Sequence, residues 1–204
     1  MIVIIDYGVG NIGSILNMLK KLGCPAIISS SINDIEKAEK LILPGVGAFD
    51  TGMSRLNEKG FVDVLTYKAH EQKVPILGIC LGMQLMTKRS EEGELSGLGW
   101  FEAETIKFKF PESETKLKIP NMGWNYVDIC KSSNLFKNMF EDPKFYFVHS
   151  YYVKCNIEQD VLAKSTFYLD YVSAFEKDNI FGVQFHPEKS HKYGLKLLKN
   201  FSDL

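Results

Sequence analysis

The chain has 204 residues, of which 45% are hydrophobic and 24% charged, with a formal net charge of -1. That composition can bury one sizeable core, and it carries no basic excess to meet nucleic acid or an anionic membrane. Four cysteines, Cys24, Cys80, Cys130 and Cys155, are scattered without a CxxC pair, which argues against a zinc site or a disulfide framework and suits a reducing cytoplasm.

The apolar residues 2–5 end at Asp6, too soon for a signal peptide or a membrane span, and read as a buried strand. A helix is expected from Asn11 to Leu22, with Asn11 as N-cap and Gly23 as its stop. Ala26-Ile27-Ile28 is a short strand, Asn33 to Lys40 a helix, and Leu41-Ile42-Leu43 a strand ended by Pro44-Gly45. A helix over Phe61 to Glu71 precedes a strand at residues 74–79, and helix formers follow through Arg89. The first half is thus a βα alternation, which implies a parallel sheet with right-handed crossovers.

After Gly99 the texture changes. Trp100 to Phe110, Tyr126 to Cys130, Phe145 to Val148, Tyr151 to Cys155, Val161 to Phe167, Val172 to Glu176 and Ile180 to Phe185 are short, β-branched and aromatic. Turn clusters such as Pro111-Glu112-Ser113 and Lys177-Asp178-Asn179 separate several of them. A last helix runs from Lys192 to Phe201. No segment reads as a linker, so residues 1–204 are expected to form one domain.

Gly78-Ile79-Cys80-Leu81-Gly82-Met83-Gln84 lies between an apolar run and helix formers. This is the strand–turn–helix pattern of a nucleophile elbow, with sulfur as the nucleophile. The glycines let strand and helix approach, and the helix N-terminus offers its positive end to an oxyanion. Taken alone, the pattern fits a buried turn cysteine equally well. Pro44-Gly45-Val46-Gly47-Ala48-Phe49 ends a parallel strand on the same edge; beside Cys80 it would add a second oxyanion donor to the N–H of Leu81, and alone it is an ordinary βα turn.

In Gly182-Val183-Gln184-Phe185-His186-Pro187-Glu188 a strand delivers an imidazole to a loop, and the carboxylate two residues on can hold its tautomer. Cys80, His186 and Glu188 then form a nucleophile, a base and an orienting acid. His149 could line the same pocket or not. His70 and His191 have no such company and are expected to face solvent. Gly8-Val9-Gly10-Asn11-Ile12-Gly13 matches the dinucleotide fingerprint literally. The acid such a site needs should end the second strand, whereas Asp34 lies beyond it. These glycines read better as a tight turn with helix–sheet packing.

The GxCxG, PGVG and HPE elements together resemble the class I glutamine amidotransferases. Asp6-Tyr7-Gly8-Val9-Gly10-Asn11, Met122-Gly123-Trp124-Asn125 and Tyr146-Phe147-Val148-His149-Ser150-Tyr151 extend the likeness over essentially the whole chain. Within the family they resemble the glutaminase subunits of imidazole glycerol phosphate synthase. The resemblance implies a flavodoxin-like three-layer α/β fold, with a mostly parallel sheet and extra antiparallel strands in the C-terminal half. It implies that Cys80 attacks glutamine, with His186 and Glu188 completing the triad. Val46, Gly47 and Leu81 form the oxyanion hole, and Gly45, Gln84, Glu92, Ser150 and Tyr151 bind glutamine. It implies no cofactor or metal.

The resemblance further implies a heterodimer with a (βα)8-barrel cyclase that receives the ammonia and works in histidine biosynthesis. Asn11, Asn121, Met122, Trp124, Tyr146 and Lys189 fall near that interface, with Trp124 either an interface anchor or a core residue. Val46 stands where many relatives have glycine, which suggests a stiff oxyanion loop that a partner must switch. Asn121 replaces a common histidine. That departure leaves room for a paralogue that feeds ammonia to a surface-polysaccharide sugar. A dead binding module on the same scaffold is the reading of another class, and the complete triad argues against it.

Overall fold

All four residues of strand β1 (Ile2–Ile5) are buried, and successive side chains face opposite ways. Val3 and Ile5 enter one apolar cluster, Ile2 and Ile4 another. A strand apolar on both faces needs helices on both faces. The computed structural model, which describes residues 1–111 and 118–204, has that layering.

β1 lies between β2 (Ala26–Ser29) and β3 (Lys40–Leu43), and β3 pairs with β4 (Ile76–Ile79), all in parallel. Next to β4 comes β12 (Ile180–Val183), also parallel, then antiparallel β11 (Leu169–Lys177), β10 (Val161–Phe167) and β7 (Asp128–Ile129). β5 (Ala103–Lys107) and β9 (Tyr151–Cys155) branch from β11, while β6 (Asn121–Tyr126) and β8 (Lys144–His149) form a separate antiparallel pair. Helices α1 (Ile12–Lys21) and α6 (His191–Ser202) cover one face through Ile15, Leu19, Leu197, Leu198 and Phe201. Helices α2 (Ile32–Lys37), α3 (Phe49–Glu58) and α4 (Phe61–His70) cover the other through Ile35, Phe49, Met53, Leu56 and Leu65. The fold is the mixed α/β sheet expected, with its antiparallel strands in the C-terminal half.

The position of β12 decides where the site forms. It runs parallel to β4 with Val183 opposite Ile79, so the chain leaves the same sheet edge at Cys80 and at Gln184. β1 and β3 leave that edge too, at Asp6 and Pro44. The carboxyl ends of parallel strands are where open α/β sheets place their sites.

Several local expectations change. α3 lies where the sequence pattern marks no helix, although Phe49, Met53 and Leu56 have helical spacing; Gly52 lowers its propensity, and a Cβ there would meet the Leu85 methyls at 3.1 Å. The helix after Cys80, α5 (Leu81–Leu85), is short because the carbonyls of Leu85, Met86, Thr87 and Lys88 accept N–H groups from Leu98, Trp100, Gly99 and Gly97. The strand expected at Tyr126 to Cys130 divides into β6 and β7 about buried Val127, and that expected at Trp100 to Phe110 narrows to β5. Asn11 caps no backbone N–H; its Oδ1 accepts from the Ser14 hydroxyl at 2.9 Å. The turn at Pro111-Glu112-Ser113 lies partly outside the described residues. Among the described residues no helix is long and apolar enough to cross a membrane.

Candidate active site

Cys80 occupies the tight turn between β4 and α5 at φ +54° and ψ -109°, a conformation that costs a non-glycine residue energy and that neighbouring structure must enforce. Its N–H donates to the Val183 carbonyl at 2.8 Å, and the residue is 7% exposed. Both flanking glycines are sterically required. A Cβ on Gly78 would lie 2.8 Å from the Gly82 carbonyl oxygen, and one on Gly82 only 1.8 Å from the Leu43 carbonyl oxygen.

β12 brings His186 to the same edge, 1% exposed. Pro187 opens a short 3-10 turn, Pro187–Lys189, which swings Glu188 back under the ring. His186 Nδ1–H donates to Glu188 Oε1 at 2.8 Å. That bond leaves Nε2, buried and without another hydrogen bond among the described residues, to interact with the Cys80 sulfur. Burial disfavours the imidazolium, but Cys80 and then Glu188 outweigh it and raise the His186 pKa to about 10. Ser190 braces the loop: its hydroxyl donates to the His186 carbonyl at 2.6 Å and accepts the Tyr146 N–H at 3.0 Å. His186 N–H in turn donates to the Tyr146 carbonyl, which ties β8 to the site.

A cavity of about 430 Å³ opens over Cys80 and His186, a size suited to a small polar ligand. Val46, Gly47, Leu81, Gln84, Glu92, Ser150 and Tyr151 line it, while Gly45 and Glu188 do not. Glu92 is held in place by the Phe49 N–H, which donates to Oε2 at 2.9 Å at the start of α3. Gln84 donates both amide hydrogens, to the Tyr151 carbonyl at 3.2 Å and to Gln184 Oε1 at 2.9 Å.

The oxyanion loop departs from expectation. The Leu81 N–H is not free: it donates to the Gly45 carbonyl at 3.3 Å. Gly45 is wedged, since a Cβ would lie 2.7 Å from Tyr7 Oη and 2.8 Å from Leu81 Cβ. The Tyr7 hydroxyl donates to the Pro44 carbonyl at 2.5 Å. Burial, and then the charge of Cys80, push the Tyr7 pKa up, so this donor keeps its proton. Gly47 follows at φ +102°, a conformation open to glycine.

Some residues were missed or misplaced by sequence reasoning. Ala48, Pro120 and Val148 also line the cavity, and so does His149, for which the sequence allowed either placement. Asn121 is not on the outer surface: it is 5% exposed, with its amide nitrogen 3.1 Å from His149 Nε2 and 3.1 Å from the Tyr171 hydroxyl. Its place opposite His149 in the β6–β8 pair turns it inward. His70 is half-buried with its ring edge-on to Trp100, not simply solvent-facing. Gly13, the third glycine of the GxGxxG pattern, has nothing within 4 Å of its Cβ position, so helix–sheet packing does not require it.

The other expected interface residues share an open face. Met122 is 62% exposed and Trp124 45%, so Trp124 is no core residue. Trp124 stacks on exposed His191 at 5.5 Å and meets Tyr146 edge-on, and Lys189 Nζ lies 5.6 Å over the Tyr146 ring. Asn11 is exposed on the loop after β1.

The model of the glutamine amidotransferase class-I family matches residues 3–203. An imidazole glycerol phosphate synthase subunit HisH 2 of Methanococcus maripaludis is 55% identical over 201 residues, covering 98% of each chain. A subunit of the same name from Pseudomonas aeruginosa is 50% identical over the whole of both chains. A solved structure described as a putative GMP synthase subunit from Thermoplasma acidophilum shares the fold, with a TM-score of 0.71, 24% identity and coverage of 99% of this chain and 92% of that one. With a family model spanning nearly its whole length and relatives at half identity or more, the chain belongs to the class I glutamine amidotransferases and, among them, to the HisH subunits.

Proposed function

We propose that the cavity binds glutamine and that Cys80, His186 and Glu188 hydrolyse it to glutamate and ammonia. The observation that carries this reading is the strained Cys80 elbow facing an imidazole whose other nitrogen is fixed on Glu188. The thiolate, paired with the His186 imidazolium, attacks the side-chain carboxamide carbon. The tetrahedral oxyanion is stabilised by backbone N–H groups of Leu81 and the Val46–Gly47 segment. His186 protonates the departing ammonia. It then takes a proton from the water that opens the thioester, and glutamate leaves. Gln84, Glu92, Ser150 and Tyr151, which line the cavity, hold the rest of the substrate, while Gly45, expected to share that task, does not line it.

The Leu81–Gly45 hydrogen bond fits a resting state, because it occupies one oxyanion donor. Rotation of the peptide beside Val46 would release it. The partner that drives this rotation is a (βα)8-barrel cyclase, docked on the face carrying Met122, Trp124, Tyr146 and Lys189, with Asn11 at its margin. That cyclase receives the ammonia and makes imidazole glycerol phosphate and AICAR in histidine biosynthesis. The names of the relatives and the exposed aromatic face support this assignment, and the four free thiols fit the cytoplasm. The acceptor in a surface-sugar pathway was suggested only by Asn121, which is buried against His149 and away from the docking face.

The test is glutamate release by the chain alone and with its co-purified cyclase. The complex hydrolyses glutamine far faster, and Cys80→Ala abolishes the stimulated rate. A Cys80→Ala complex that still releases glutamate would overturn the reading.

A further inference from the structure

Gln184 is fully buried and lies next to the nucleophile, yet it takes no part in the bond changes of glutamine hydrolysis. Its position follows from topology. β12 is parallel to β4 in register, so the residue after Val183 stands beside the residue after Ile79. Gln184 Nε2 is 3.7 Å from Cys80 Sγ, and its Oε1 is 2.9 Å from Gln84 Nε2.

The direction of these bonds is fixed by one backbone group. The Tyr151 carbonyl can only accept, so the Gln84 atom 3.2 Å from it is the amide nitrogen. The other hydrogen of that nitrogen points at Gln184, which must present oxygen there. The Gln184 nitrogen is then left to donate to sulfur. The same carbonyl fixes His149, whose Nδ1 lies 2.7 Å away and must carry the hydrogen, so that Nε2 accepts from Asn121. Burial lowers the His149 pKa to about 4, which keeps this tautomer neutral. A continuous chain of hydrogen bonds links Asn121, His149, Tyr151, Gln84, Gln184 and Cys80, with the Tyr151 carbonyl accepting from both His149 and Gln84.

From this chain we infer that Gln184 is a positioning residue for the glutaminase reaction: it donates a hydrogen bond to the Cys80 thiolate and holds Gln84 with its acceptor oxygen toward the substrate. The inference rests on the proposed glutaminase activity. An amide N–H prefers a charged sulfur to a neutral thiol or thioester, so the contact favours the thiolate both as nucleophile and as leaving group. With both hydrogens committed, Gln84 has only its oxygen to offer the cavity, which suits an N–H donor on glutamine. The other titratable groups facing the sulfur are His186, with Glu188 behind it, and Tyr7 beneath the oxyanion loop; His149 and Glu92 face it across the cavity.

Two variants separate the functions. Gln184→Met keeps the volume and loses donor and acceptor. Gln184→Glu keeps an acceptor for Gln84 and loses the donor. The pH dependence of iodoacetamide alkylation is measured at the Cys80 peptide by mass spectrometry, and kcat and KM are measured with the cyclase bound. Both variants are expected to move the alkylation midpoint up by about one pH unit or more, the worth of one hydrogen bond to a charged group. Both should lower kcat about 10-fold, while KM rises for Met and stays near wild type for Glu. A merely structural role leaves the alkylation midpoint where it was, and an unmoved midpoint in folded variants overturns the proposal. Gln184→Asn, which withdraws the amide by one methylene, supplies the same readout if the larger changes prevent folding. A thiol-directed glutamine analogue separates the two readings. If it leaves Cys80 unlabelled, the glutaminase reading fails, while the alkylation midpoints still decide the role of Gln184.

Discussion

Replacing Gly82 by alanine tests whether the elbow is held by close backbone approach. The added Cβ would sit 1.8 Å from the Leu43 carbonyl oxygen, an atom of β3 that cannot swing aside. To reach an ordinary 3.4 Å contact, the first turn of α5 must retreat by about 1.6 Å. Overpacking of this kind costs about 1–3 kcal/mol. The retreat also carries Leu81 and the Cys80 backbone with it, and a 1 Å misplacement of reacting groups costs about 100-fold in rate. Urea unfolding is expected to show the stability loss, and partner-stimulated glutaminase a kcat about two orders of magnitude down. Gly13→Ala is the matched control in another βα turn. Nothing lies within 4 Å of its Cβ position in α1, so it should gain about 0.5–1 kcal/mol from helix propensity. A Gly82→Ala chain as stable and active as wild type would refute the reasoning that the strain at Cys80 is enforced by this contact.

Four further outcomes are expected of the site. Val46→Gly frees the peptide next to Gly45, so glutaminase without the cyclase should rise about 10-fold or more, part of the worth of one oxyanion donor; an unchanged basal rate contradicts the switch. Glu188→Gln keeps the shape of the triad but removes the charge that helps raise His186 to about 10, so the alkaline limb of kcat/KM should move to lower pH and kcat fall about 100-fold or more. His149, held at about 4 against an ordinary 6.5, contributes full stability only above the unfolded value and loses it as pH falls toward 4; His149→Gln should shrink the acid loss seen in urea midpoints by roughly 3 kcal/mol. Trp124→Ala should weaken cyclase binding about 30-fold by titration while leaving the basal glutaminase unchanged.

Much of this site was legible because its parts are local. The elbow glycines, the Pro187-Glu188 return and the Pro44-Gly45 turn each announce themselves within seven residues, and each has a steric or hydrogen-bonding cause nearby. What was illegible depends on which strands become neighbours. No periodicity says that β12 inserts parallel beside β4, yet that pairing alone brings Gln184 to Cys80 and His186 to the elbow. The unusual Asn121 shows the same limit. From its segment it belonged on the partner face, with exposed Met122 and Trp124. Alternation along β6 turns Met122 outward and Asn121 inward, and the register of β6 against β8 sets it opposite His149. A histidine at that position would place a second titratable ring against His149. Asparagine donates without titrating, and so fixes the His149 tautomer that the Tyr151 carbonyl requires. Asn121 thus joins, through His149 and the Tyr151 carbonyl, the hydrogen-bonded network that reaches Cys80 by way of Gln84 and Gln184.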